Sequence, residues 1–285
     1  MQKRSPTFHE RASSAIHRAT RKGISRFLAA LAVAIPTAAQ ATYYAGIVTP
    51  TFTVVAIDSR TTSPDGSYVS DQTCKIIRLS DTAVFFATGL TSAVGKYDLH
   101  KLAQAVYSSA GSGAKLADVR DRWGEQAVTT LRANLTPGAL LALQATMKGG
   151  LLIGTFAGLD PDGSPATHTM NITLSADQRD FQKAPTDRSS GYFASPGAHE
   201  LFSEFMPGSE SARAIQLMMD LYAKQPPSTQ PPSLEYAEAI RAEALVTAVE
   251  WWSGNPEVGG DVSVAIIQRG GKWHWFHRPA HCPER

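Results

Sequence analysis

From residue 43 onward, apolar residues come in short runs punctuated by turn residues. Tyr43–Thr49 and Phe52–Ile57 flank Thr49-Pro50-Thr51 and predict a hairpin. Beyond a second turn at Ser63-Pro64-Asp65-Gly66, Cys74–Leu79 and Ala83–Thr88 predict two more strands joined by Ser80-Asp81. Four strands with no helix between them predict that this half forms an antiparallel sheet. The period then changes to a helical one. Leu99, Leu102, Ala103 and Val106 place a helix over Tyr97–Ser109, and Val119, Trp123, Ala127, Val128 and Leu131 place another over Ala117–Leu135. Pro137, tolerated in a first helical turn, opens a third segment running to about Met147.

Strands return at Leu151–Gly158 and Thr167–Leu174, around the turn Asp160-Pro161-Asp162-Gly163. Ser175–Ser190 is polar and reads as a loop, and Tyr192–Ser195 as a short strand. Ser209–Lys224 is helical, the proline-rich Gln225–Ser233 is an extended linker, and Leu234–Trp252 is a long helix. Val262–Gln268, a Gly270-Gly271 turn and Trp273–Phe276 close the chain as a hairpin. No βαβ alternation appears. The order predicts an α+β fold, a four-layer α-β-β-α sandwich of two antiparallel sheets flanked by helices.

Composition adds a division of charge. The first 41 residues hold seven basic residues against Glu10 alone, so the rest of the 285-residue chain carries a net charge of −4. A mildly acidic body argues against a nucleic-acid partner, which usually needs a basic stripe. The basic stretch ends in Lys22 and Arg26, then the apolar run Phe27–Ile35, Pro36 and the small-residue site Ala39-Gln40-Ala41. This is the pattern of a secretory signal, and the run is short for a membrane span. We therefore expect residues 1–41 to be a signal peptide and 42–285 a single domain, exported to a periplasmic or extracellular compartment and free of the membrane after cleavage. Cys74 and Cys282, both beyond the leader, permit one disulfide; two unpaired thiols, with Cys74 inside a strand, are the alternative.

Cleavage after Ala41 would free the α-amine of Thr42. A threonine hydroxyl needs a base beside it, and a terminal amine, with a reference pKa of about 7.7–8.0, is such a base on the same residue. With that in view, Val55-Ala-Ile-Asp-Ser-Arg60, Gly66-Ser-Tyr68, Cys74-Lys-Ile-Ile-Arg-Leu79 and Phe86-Ala-Thr-Gly-Leu90 together resemble the opening of a proteasome β-type subunit of the N-terminal-nucleophile hydrolase superfamily. Gly259-Gly-Asp-Val-Ser-Val-Ala-Ile-Ile267 with Gly270-Gly271 is similar to that family's last hairpin. The spacing from Thr42 to Asp58 equals the family's without a gap, and Lys75 aligns with one inserted residue in the Ser63–Gly66 turn.

The resemblance implies roles. Thr42 would be nucleophile and base. Lys75 would sit beside its hydroxyl as a cation, Asp58 would orient Lys75, and Arg60 would brace the same shell. The amide of Gly89 would donate to an oxyanion, and Ser195 would position the terminal amine. It implies a threonine-type hydrolase acting on a peptide or small amide without a cofactor, with self-association as a family habit. Three positions depart from the family: Asn255 and Val258 replace an acidic residue and a serine, and Ala41 replaces a glycine before the nucleophile. The first two match a second expectation, a non-catalytic homologue with an assembly or binding role. His274, His277, His281 and Cys282 cluster near the C-terminus, but their spacing suits no standard zinc site. His199 is expected in the cap region of a helix.

Overall fold

Thr49, at the first turn, accounts for much of the local order there. Its hydroxyl accepts from the Phe52 amide at 2.9 Å, and its amide donates to the Phe52 carbonyl at 2.8 Å. This closes the expected hairpin of β2 (Tyr44–Val48) and β3 (Phe52–Asp58), paired antiparallel from Val48↔Thr53 to Tyr44↔Ile57. In the computed structural model the described residues are 37–40, 42–62, 68–111, 113–136, 138–139, 150–175, 180–195, 199–225, 233–254 and 258–284. Residues 1–36 of the expected leader, Ala41, the expected Ser63–Gly66 turn, most of the segment opened by Pro137, most of the proline-rich linker, and Asn255 lie outside them.

Among the described residues every strand pair is antiparallel, and the strands form two large sheets and a small ribbon. One sheet runs β12 (Gly191–Ala194), β2, β3, β13 (Val262–Gln268), β14 (His274–His277). The other runs β1 (Thr37–Gln40), β7 (Ala83–Ala93), β9 (Leu152–Leu159), β10 (Pro165–Leu174), β11 (Phe181–Arg188), with β6 (Ile77–Arg78) and β8 (Tyr97–Asp98) also on β7. The ribbon joins β4 (Thr61–Thr62) to β5 (Tyr68–Ser70). Among the described residues there are five helices: α1 (Leu99–Ala110), α2 (Leu116–Asn134), α3 (His199–Glu204), α4 (Ala212–Lys224) and α5 (Leu234–Ser253).

Alternation along each strand sets two cores. Val55, Ile57, Ala265 and Ile267 of one sheet join Val84, Phe86 and Ala157 of the other in one buried cluster. The opposite face of the smaller sheet, with Phe52, Val54, Ala56, Val264 and Ile266, is covered by α5, and α4 packs against α5 in the same buried cluster. Helix α5 is apolar around most of its circumference and is buried from Ala239 to Val249 except at Arg241, as expected of a helix enclosed on several sides. On the larger sheet, Phe85, Phe156 and Trp123 of α2 form an aromatic group, with ring centroids 4.7 to 6.1 Å apart.

Three expectations are corrected. The first four strands do not share one sheet: β2 and β3 lie in one, β6 and β7 in the other, and the β4–β5 ribbon occupies the chain between them. The strand expected over Cys74–Leu79 shrinks to Ile77–Arg78, because the Thr73 amide turns to the Ser59 carbonyl at 3.3 Å and Cys74 is bridged to Cys282. The polar stretch Ser175–Ser190 contains β11, an exposed edge strand held to β10 over its full length by backbone pairing rather than burial. Pro185 is admissible there because an edge strand leaves one row of amides unpaired.

His100, on α1, packs edge-on against Phe85, and its buried Nε2 has no hydrogen-bond partner. Burial, with Asp98 opposing and nearby Lys75 assisting, pushes its pKa down to about 4 from 6.5. The unfolded chain therefore binds the extra proton first as pH falls, and the contribution of a neutral His100, up to about 3 kcal/mol, is lost from pH 6.5 toward pH 4. His100→Phe is expected to flatten that part of the stability curve, read as thermal midpoints against pH. A variant whose midpoints fall as steeply as the parent's contradicts it.

Candidate active site

Three elements that are distant in sequence meet at Thr42. The residue lies just ahead of β2, Asp58 ends β3, and Lys75 sits in the irregular segment between β5 and β6. Thr42 is 7% exposed, Asp58 1% and Lys75 0%. The Lys75 ammonium donates to Thr42 Oγ1 at 2.6 Å, to Asp58 Oδ1 at 3.1 Å, and to the Arg60 carbonyl. All three donor hydrogens of the ammonium thus have acceptors, the condition for holding such a charge out of water.

Asp58 is fixed as firmly. Its Oδ1 also accepts from the Tyr43 amide at 3.0 Å, and its Oδ2 accepts from the Gly259 amide at 3.1 Å. Burial pushes the Lys75 pKa below the usual lysine range and the Asp58 pKa above the usual carboxylate range. Their mutual attraction opposes both shifts, as do the two amide donors on Asp58. An ammonium held against a hydroxyl favours the alkoxide that forms when another base takes the hydroxyl proton.

Arg60 contributes its carbonyl to Lys75, while its guanidinium points elsewhere. That group grips Asp71 in a fork, Nε at 2.7 Å and Nη2 at 3.1 Å, donates to the Val258 carbonyl at 3.0 Å, and lies 3.6 Å from Glu250. Its amide donates to the Gly259 carbonyl at 2.8 Å. Arg60 therefore ties the segment ahead of Lys75 to the loop that holds Asp58.

Gly89 lies on β7 with φ of 93°, and a Cβ there would run into the Leu151 carbonyl. Both facts call for glycine. Its backbone pairs with Gln40 of β1, so the chain two residues before Thr42 runs alongside it. Ser195 is buried after β12 and its amide donates to the Tyr44 carbonyl at 2.9 Å. Among the described hydrogen bonds, its hydroxyl does not reach Thr42.

Sequence reasoning missed Asp71 and the Gly259 amide. Asp71 had the signal of a lone carboxylate in a polar turn; a backbone amide leaves none. Cys282 is in the disulfide, so it is not a thiolate beside His274, His277 and His281. Among the described residues, no three His, Cys, Asp or Glu are grouped so as to hold a metal ion, and no helix is long and apolar enough to cross a membrane. No protein-family model matches this chain, and no curated protein matches it.

Proposed function

We propose that this chain is an exported threonine-type N-terminal-nucleophile hydrolase that cleaves amide bonds through an acyl-enzyme ester on Thr42. The observation that carries the reading is the buried contact of the Lys75 ammonium with the Thr42 hydroxyl, backed by Asp58. Removal of residues 1–41 adds the remaining group, a free amine on the same residue. In the reaction, Thr42 Oγ attacks the amide carbon and its proton passes to the α-amine. The oxyanion is met by the Gly89 amide, and the departing amine takes the proton back. Water then attacks the ester, releasing the acid and restoring the hydroxyl.

Two features support the wider reading. Helices α1 and α2 on one sheet, α5 with α4 against it on the other, and a shared core between the sheets fit a four-layer α-β-β-α arrangement. The pairing of Thr37–Gln40 along β7 favours an extended peptide as substrate, since a strand already lies there with its C-terminal end leading to Thr42. The second reading, a non-catalytic homologue, draws on Val258, whose buried apolar side chain stands where the family carries a hydroxyl.

The test is the mass of the exported protein, followed by treatment with a β-lactone, which acylates an activated threonine. The expected species begins at Thr42 and gains one adduct on that residue. A different terminus, or a Thr42 terminus that takes no adduct and hydrolyses no amide, favours the second reading.

A further inference from the structure

Lys75 is the one lysine at the site, yet no regular ladder holds its backbone: Asp71 to Ile76 pairs with no strand. Upstream, the segment is pinned as far as Thr73. Asp71 is gripped by Arg60 and its carbonyl accepts from Ser59 Oγ at 2.5 Å, and the Thr73 hydroxyl accepts from Thr61 at 2.7 Å. Downstream, Ile76 enters the core between the sheets and Ile77 joins β7. Between these anchors sits Cys74, bonded covalently to Cys282, which lies 208 residues away.

The far end of that bond is itself fixed. Cys282 is buried, its amide donates to the Pro279 carbonyl at 2.9 Å, and its own carbonyl accepts from Arg278 at 3.0 Å. Ser263 Oγ lies 3.6 Å from its sulphur. Ser263 stands on β13 next to Val262, the residue paired with Asp58 across β3. The bridge therefore joins the residue before Lys75 to a buried C-terminal turn that touches β13 at Ser263, beside the residue paired with Asp58.

We propose that the Cys74–Cys282 bridge is a positioning device for Lys75, so that the site is assembled only after oxidation. This rests on the hydrolase reading for its effect on turnover. The physical need is clear: an ammonium with four rotatable carbons gains hydration and rotamer freedom whenever it can leave a buried site. Hydrogen bonds to Thr42, Asp58 and the Arg60 carbonyl hold the charge only while the backbone keeps it in place. Cys74 is partly exposed and open to thiol exchange. Bridge formation removes two thiol protons and two electrons, which pass to an oxidising protein disulfide. A dithiol reverses it, giving up two protons and two electrons and closing into its own disulfide. A chain made under reducing conditions would lack the tether and acquire it in the oxidising compartment its leader predicts.

The experiment compares the processed protein oxidised, reduced with dithiothreitol, and as the Cys74→Ala/Cys282→Ala variant, all below their melting temperatures. Lysines are acetylated with limiting acetic anhydride and read by peptide mass spectrometry, with the exposed Lys101, 82% accessible, as reference. The fine structure of the tryptophan bands in near-UV circular dichroism, to which the disulfide adds only a broad background, monitors aromatic packing with Trp123 included, and kcat and KM are measured on a test amide. The expected result is an unchanged aromatic signal, Lys75 labelling raised at least about tenfold relative to Lys101, and kcat lowered about tenfold or more with KM within about twofold. Reoxidation of the reduced protein should restore both. Lys75 as protected without the bridge as with it overturns the inference, and so does labelling that rises only with loss of the aromatic signal. If no form hydrolyses the amide while Lys75 labelling still follows the bridge, the tether stands and the hydrolase reading falls.

Discussion

Lys75→Met is expected to destabilise the fold by about 3–5 kcal/mol and, on the proposed hydrolase reading, to lower kcat by about 10³-fold. The two losses have separate causes. Catalytically, the variant keeps the length of the side chain but removes the cation 2.6 Å from Thr42 Oγ1. Structurally, it leaves Asp58 buried with only the Tyr43 and Gly259 amides for partners. An unpaired buried carboxylate has a raised pKa in the folded state, so the variant's deficit should shrink as pH falls and Asp58 takes up a proton. Asp58→Asn added to Lys75→Met removes both charges together. The double variant should regain part of the lost stability without regaining hydrolysis: the unpaired buried charge is gone, but the new amide NH2 faces one of the two backbone N–H donors that a carboxylate oxygen accepted from. Urea unfolding and kinetics on one amide substrate measure both quantities. A Lys75→Met enzyme within about tenfold of the parent in kcat, or a double variant less stable than the single, contradicts the pairing described here.

Trp123→Ala should cost about 3–5 kcal/mol, among the largest losses available outside the site. The ring is fully buried, lies 5.2 Å from Phe85 and 6.1 Å from Phe156 between centroids, and its Nε1 donates to the Leu99 carbonyl at 3.1 Å. The site opposite is Gly154 on β9, where a Cβ would overlap the indole. Gly154→Ala alone should therefore cost about 1–3 kcal/mol through overpacking. With the indole gone, the same methyl meets open space. The double variant should be at least about 1 kcal/mol more stable than the sum of the singles requires. Additive losses in urea unfolding would show that glycine at 154 is not there to admit the ring.

How much of this was legible beforehand depended on the kind of signal each residue leaves. The β2–β3 hairpin and β13 were readable because continuous apolar runs ended in turn residues, and burial then enforced the pattern. Thr42 and Asp58 were singled out because the processing pattern and the family resemblance fell on the same residue, with Asp58 at the family's spacing from it. Lys75 was readable only through the family resemblance: a lone lysine in a run of mixed character looks like a solvated one, and its burial depends on acceptors from two other segments, at Thr42 and at Asp58 to Arg60. Strand β11 left no periodic trace because nearly all of it faces solvent. The Arg60–Asp71 fork spans eleven residues and the Cys74–Cys282 bond 208, and neither partner choice follows from local pattern. Asn255 and Ala41 lie outside the described residues, so of the three departures from the family the structure places Val258, whose carbonyl accepts from Arg60.

The position of Thr37–Gln40 has a consequence for the chain's handling after synthesis. While those four residues stay attached, they cover the stretch of β7 from Gly89 to Ala93. Severing the backbone at Ala41 would turn that stretch into a bare rim, with amide and carbonyl groups seeking partners. An unpaired rim of this kind invites capture by any extended chain, including a neighbouring copy. The proposed maturation would thus trade a closed border for a sticky one, and the uncut precursor would be the safer form in which to fold and travel.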